Sequence, residues 1–216
     1  MNLLLAGLES IDASAQSLAC QCVASLAAVD REHHRVESLS LPARWDDCFK
    51  PLDALLDQPW DAIVLFSERV SDSISIERIA INETDVSQKD AIGRRPRGKV
   101  IESAGDPGYW TTLPYRELAS KLTASQFMAI PSHSAGTALA NYACYRLMHG
   151  LAQRERRIRA GLLQLPFTGS VFSEEEAKRF VSVLLETLDP EFLAHDGLGI
   201  DVSRTASRLQ SERPLR

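Results

Sequence analysis

Residues 62–66 read Ala-Ile-Val-Leu-Phe, five apolar residues with no polar break. A strand with one wet face alternates apolar and polar side chains. A strand without that alternation must be covered on both faces, as in the middle of a parallel sheet. Asn2–Ala6 and Ile158–Leu165 read as further strands of this kind. Helical spacing separates them: Leu18, Cys22, Leu26 and Val29 lie on one face of a segment running from Ala13 to Val29. Strands that alternate with helices imply an α/β fold. The expected form is a single-domain, three-layer α/β/α sandwich around a mostly parallel twisted sheet.

The other elements follow the same logic. Val36–Leu41 reads as a strand stopped by Pro42, and Asp46–Leu56 as a helix. Ser75–Asn82 alternates and reads as one strand, and Phe127–Pro131 as another. Leu113–Thr123 and Gly136–His149 have helical spacing. Ser173–Leu188 opens Ser-Glu-Glu-Glu, a capping box with Ser173 as N-cap and Glu176 at the third helical position. Residues 85–108 are polar and basic, with Lys89, Arg94, Arg95, Arg97 and Lys99. They read as a solvated hairpin or loop. Residues 1–200 are expected to form the domain, and the polar residues 201–216 a disordered tail.

Composition excludes several classes. The chain has 216 residues, 44% hydrophobic and 25% charged, with net charge −5. That balance suits a globular core and gives no electrostatic footprint for nucleic acid. No apolar run approaches the roughly 20 residues that span a bilayer. No signal-peptide pattern is present, so the cytoplasm is the expected compartment. Cys20 and Cys22 are two apart, and Cys48 and Cys144 are isolated, which is neither a zinc nor a redox spacing. The histidines also lack ligand spacing, so no metal and no cofactor is expected.

Two segments carry more specific information. Residues 74–82 read Ile-Ser-Ile-Glu-Arg-Ile-Ala-Ile-Asn, and residues 132–141 read Ser-His-Ser-Ala-Gly-Thr-Ala-Leu-Ala-Asn. With Gly7-Leu8-Glu9, Leu41-Pro42, Thr111-Thr112-Leu113-Pro114 and Leu162–Phe167 in order, they resemble the motifs of the pyroglutamyl peptidase I (pyrrolidone-carboxylate peptidase) family. The resemblance spans about residues 2–190. It implies the sandwich fold, a homodimer or homotetramer, and a cleft for a small peptide or small molecule.

The same resemblance assigns the site. Family members use a cysteine nucleophile, a histidine base and an acid that orients the histidine. Here the acid position is Glu77, the nucleophile position is Ala140 and the base position is Gln164. A methyl group cannot attack a carbonyl, and a neutral amide is no base near neutral pH. The substrate-pocket loop diverges too: Leu8, Ile11 and Asp12 stand where the family has Phe, Phe and Gly, and Ala138 replaces an aromatic. The segment Phe66–Ser71 stands for a glycine-rich run. Cys144 lies one helical turn from Ala140, about 6 Å away, too far to take over its role. Ser132 and Ser134 are expected to cap the following helix, starting near Ala135. Glu77 is expected to accept a hydrogen bond from the Gln164 amide. These readings imply a family member that has lost peptidase activity and binds or regulates. The alternative is a hydrolase of the same family with altered catalytic residues, acting on pyroglutamyl or other N-blocked substrates.

Overall fold

The computed structural model describes residues 1–12, 15–30, 33–90, 92–167 and 169–189. The tail expected at 201–216 and the first residues of the helix expected from Ala13 lie outside these. The strands are β1 (Asn2–Leu8), β2 (Arg35–Leu41), β3 (Ala62–Arg69), β4 (Ile74–Glu77), β5 (Ile79–Ile81), β6 (Gly108–Trp110), β7 (Ala129–Ser132) and β8 (Arg159–Pro166). The helices are α1 (Leu18–Ala27), α2 (Lys50–Asp53), α3 (Tyr115–Ala124), α4 (Leu139–Gln153) and α5 (Glu174–Leu188).

Six strands form one sheet in the order β2-β1-β3-β8-β4-β7, and β5 and β6 form a separate antiparallel ribbon. Every pairing in the large sheet is parallel except β4 with β8. The central strands β1, β3 and β8 are buried on both faces, as their apolar runs require. One core lies between the sheet and α1, α3 and α5, and includes Leu5, Val64, Leu163 and Phe180. The other lies beneath α4, and includes Leu4, Leu65, Leu162, Ala143 and Cys144. Gly7 has no room for a side chain: a Cβ there would sit 2.8 Å from the Cys20 Cα of α1.

Several expectations need correction. The helix expected over 46–56 is four residues long. Pro51 has no N–H to extend a turn from Asp47, and the flanking residues close separate turns. The strand expected over 75–82 changes partner at Arg78. The Arg78 N–H bonds Ser132 of β7, whereas its carbonyl accepts from Thr111, beyond β6. Alternation continues through the switch, so periodicity does not reveal it. The short β6 was not expected at all. The polar segment 85–108 is tied down by Asp90, whose carboxylate accepts from the backbone N–H groups of Trp45, Ile92 and Arg94. The capping box on α5 forms as expected, with Ser173 and Glu176 bonded reciprocally.

Two asparagines from the motifs hold the ribbon against the rest of the fold. Asn141 is fully buried on α4. Its Oδ1 accepts from the Ile81 N–H at 2.9 Å, and its Nδ2 donates to the carbonyls of Ile81 at 2.9 Å and Glu83 at 3.1 Å. Asn82 does the same for the loop at 101–105, accepting from the N–H groups of Ile101 and Glu102. Asn141→Ala removes three bonds and leaves the Ile81 peptide without partners. A loss of roughly 3 kcal/mol in urea unfolding is expected; unchanged stability would show that Asn141 is not the pin.

Candidate functional site

β3, β8 and β4 lie side by side, so one sheet face carries Ser67, Gln164, Ser75 and Glu77. Ser67 and Ser75 flank Gln164 in register, and Glu77 sits two residues further along β4. The helix α4 covers this face, packing on β3 and β8, with Ala140 buried in its first turn. The fold therefore puts Glu77 and Gln164 on one sheet face, beneath the helix whose first turn carries Ala140.

The expected Glu77–Gln164 hydrogen bond does not form. Gln164 Nε2 donates instead to Ser67 Oγ at 3.2 Å. The register explains this: Ser67 is directly opposite Gln164, whereas Glu77 is a diagonal neighbour. Glu77 takes a different partner. Its Oε1 lies 3.3 Å from Arg69 Nη1, and the same guanidinium group donates to Ser132 Oγ and the Ser134 carbonyl at 3.4 Å each. Sequence reasoning treated Arg69 only as part of a diverged loop. Glu77 Oε2 and Gln164 Oε1 are buried with no hydrogen-bond partner among the described residues.

The Glu77 side chain is 0% exposed. Burial pushes its carboxyl above the ordinary value, while the Ser132 hydroxyl and the Arg69 guanidinium pull the other way. Cys144 is buried in the same core, and burial pushes its thiol up to about 12. A thiol held neutral in this way is not a nucleophile near neutral pH. The serines do not cap α4 as expected. The helix begins at Leu139 with Ala138 as an N-cap that makes no side-chain bond. Gly136, at φ +75°, turns the chain before it can become helical. Ser134 Oγ accepts from the Gly136 N–H, and Ser132 Oγ from the Ser134 N–H, so both serines build the turn. His133 bonds Arg78 across 3.0 Å.

The pocket-loop positions separate. Leu8 is buried in the core beneath α4. Asp12 lines an open groove with Ser17, Cys20 and Arg44. Ile11 lines a cavity of about 260 Å³ with Trp45, Val86, Thr137, Ala138 and Leu139. Two positions where the resemblance puts aromatics, Ile11 and Ala138, thus face one cavity beside the first turn of α4. Trp45 supplies an aromatic wall, packed edge-on to Tyr142 at 5.5 Å. Nothing in the local sequence marked Trp45 as a cavity residue, because only the fold brings residues 45 and 138 together.

The raised Glu77 carboxyl has a consequence with a definite sign. A folded-state value above the unfolded one contributes stability that is fully present below the unfolded value. That contribution is lost as pH rises through the folded value. The unfolded reference is 4.5. Comparing wild type with Glu77→Gln in urea, any advantage of the wild type should shrink as pH rises from about 4 towards 7. An advantage that grows over this range would mean that the Arg69 ion pair outweighs burial.

Comparison with known proteins agrees with this fold. The sequence model of the pyroglutamyl peptidase family matches residues 1–189. The pyrrolidone-carboxylate peptidase of Brevibacillus brevis is 28% identical over 168 residues, 77% of this chain and 78% of that protein. Pyrrolidone-carboxylate peptidase 2 of Photorhabdus laumondii is 33% identical over 159 residues, 71% of each chain. A mutant pyrrolidone carboxyl peptidase from the hyperthermophile Pyrococcus furiosus superposes with TM-score 0.77 at 25% identity, covering 87% of this chain and 98% of that one. The pyroglutamyl peptidase I of Bacillus amyloliquefaciens shares the fold, with TM-score 0.78 at 22% identity over 87% of this chain and 94% of that one. The match to the family's sequence model, the identity to curated relatives and the shared fold lead to one conclusion: this chain is a member of the pyroglutamyl peptidase family.

Proposed function

We propose that this protein is a family member without pyroglutamyl peptidase chemistry, which uses the inherited cleft to bind rather than to cut. The observation that carries the reading is the state of the Glu77–Gln164 face. The nucleophile position is the methyl group of Ala140. The base position is an amide bonded to Ser67. The acid is engaged by Arg69. The neighbouring thiol of Cys144 is buried, with its value pushed up to about 12. Peptide hydrolysis needs a nucleophile and a base held within reach of one carbonyl, and none of these groups supplies either.

The cavity at Ile11, Trp45 and Ala138 supports a binding role, because apolar residues share its lining with polar ones, among them Asp85, Ser87 and Gln88. In this reading the ligand is a small peptide or small molecule, and the protein works in the cytoplasm as a homodimer or homotetramer. The competing reading, a hydrolase of pyroglutamyl or other N-blocked substrates with altered catalytic groups, needs a nucleophile that this face does not offer. A pyroglutamyl reporter, run beside a panel of N-blocked peptides, separates the two. No turnover above background is expected. Turnover that survives Cys144→Ala at ordinary peptidase rates would overturn the proposal.

A rebuilt site tests how much has been lost. The double substitution Ala140→Cys with Gln164→His restores a thiol and an imidazole but not the pocket walls. The thiol at 140 should react faster with iodoacetamide than the same thiol without the histidine. Pyroglutamyl hydrolysis should stay weak, because the ring is not held in attack geometry. Robust hydrolysis by the double variant would show that Ile11 and Ala138 still form a competent pocket.

A further inference from the structure

A second surface, on the ribbon beside the cleft, has unused recognition chemistry. Trp110 closes β6 with 62% of its surface exposed. The Arg78 guanidinium carbon lies 5.1 Å from the Trp110 ring centre and 4.6 Å from that of Tyr115. Arg116 lies 5.7 Å from the same Tyr115 ring, and its Nε donates to the tyrosine hydroxyl at 3.1 Å. Arg78 Nη1 faces His133 Nδ1 at 3.0 Å. A guanidinium group has only donors, so Nδ1 accepts and the His133 proton sits on Nε2. The result is a set of N–H donors around an exposed aromatic.

These cations have no counter-charge of their own. Several other arginines are paired: Arg35 with Glu37, Arg97 with Asp85, and Arg154 with Asp53 and Asp57. Neither Arg78 nor Arg116 makes an ion pair among the described residues. The acids next to them in sequence are engaged elsewhere, Glu77 with Arg69 and Glu117 with Lys121. Two guanidinium groups on one tyrosine ring repel each other unless an anion joins them. With a net charge of −5, the chain as a whole repels acidic ligands, so attraction here is a local property.

The backbone adds a second donor–acceptor row. Asn82 N–H bonds the Pro107 carbonyl, and Thr111 N–H bonds the Arg78 carbonyl. With Ala80 opposite Tyr109, these bonds set the phase of the antiparallel ladder. Gly108 and Trp110 therefore point their N–H and C=O groups away from β5, where they meet no partner among the described residues. An extended peptide can pair with such an edge, whereas a free inorganic anion cannot use it.

We propose that this face docks an acidic peptide segment of a partner protein. The segment lies along the outer edge of β6 and places its carboxylates on Arg78, Arg116 and His133. The proposal does not depend on whether the cleft has lost its peptidase chemistry. A fluorescein-labelled hexaglutamate peptide, followed by anisotropy with the full chain, provides the test. The wild type should bind it and ignore hexaglutamine, and binding should weaken steeply as salt is raised. Arg116→Gln changes an exposed side chain, so it tests the site without endangering the fold, and it should weaken binding by about tenfold. His133→Gln should also weaken it. A hexaglutamate N-methylated at alternate residues keeps its charge but loses edge bonds, and should bind more weakly than the parent. Equal affinity for hexaglutamine, full affinity in Arg116→Gln, or no effect of N-methylation would each overturn the proposal. So would an Arg116→Gln variant whose sedimentation changes while peptide binding does not, since the face would then join copies of this chain.

Discussion

The structure depends on β8 having a hydrogen-bonded strand on each side. It is the last strand among the described residues yet lies inside the sheet, parallel to β3 and antiparallel to β4. Such a strand joins the first half of the chain to the second and has no edge exposed to water. Its side chains must therefore satisfy two cores, and Leu162 and Leu163 point into opposite ones. Ser75 of β4 lies opposite Gln164, so Glu77, two residues further on, shares the Gln164 face.

That arrangement sets how the polar groups on this face are satisfied. A buried carboxylate needs a partner or a proton. Here Arg69 reaches from the end of β3 to supply one partner, while burial favours the proton. Gln164 has the directly opposed Ser67 and uses it. The two oxygens without partners, Glu77 Oε2 and Gln164 Oε1, mark where the site remains polar without being internally satisfied. The motif asparagines have a simpler role. Asn82 and Asn141 hold backbone that would otherwise be unpaired, a structural duty that does not depend on catalysis.

Much of the molecule was legible in the sequence because local pattern and burial agree. The run at 62–66 needed two covered faces and has them. The capping box at Ser173 needs only residues three apart, so it could be read directly. The failures also have local causes. Helical spacing over 46–56 takes no account of Pro51, which interrupts the turn. Alternation over 75–82 is the same whichever strand lies alongside, so the change of partner at Arg78 leaves no trace in it. Ser132 and Ser134 have the right chemistry for caps, but the positive φ of Gly136 delays the helix until Leu139.

The sequence by itself determined the strand and helix alternation, the motif order and the absence of a thiol and an imidazole at positions 140 and 164. These are properties of residues and their spacing. Only the tertiary structure decided who bonds to whom: Gln164 to Ser67 rather than to Glu77, Glu77 to Arg69, Trp45 beside Ala138, and Arg78 between Trp110 and Tyr115. Hydrogen bonds and stacking act over a few ångströms, and which residues come that close depends on sheet order and register. Neither is written in the spacing of the residues concerned.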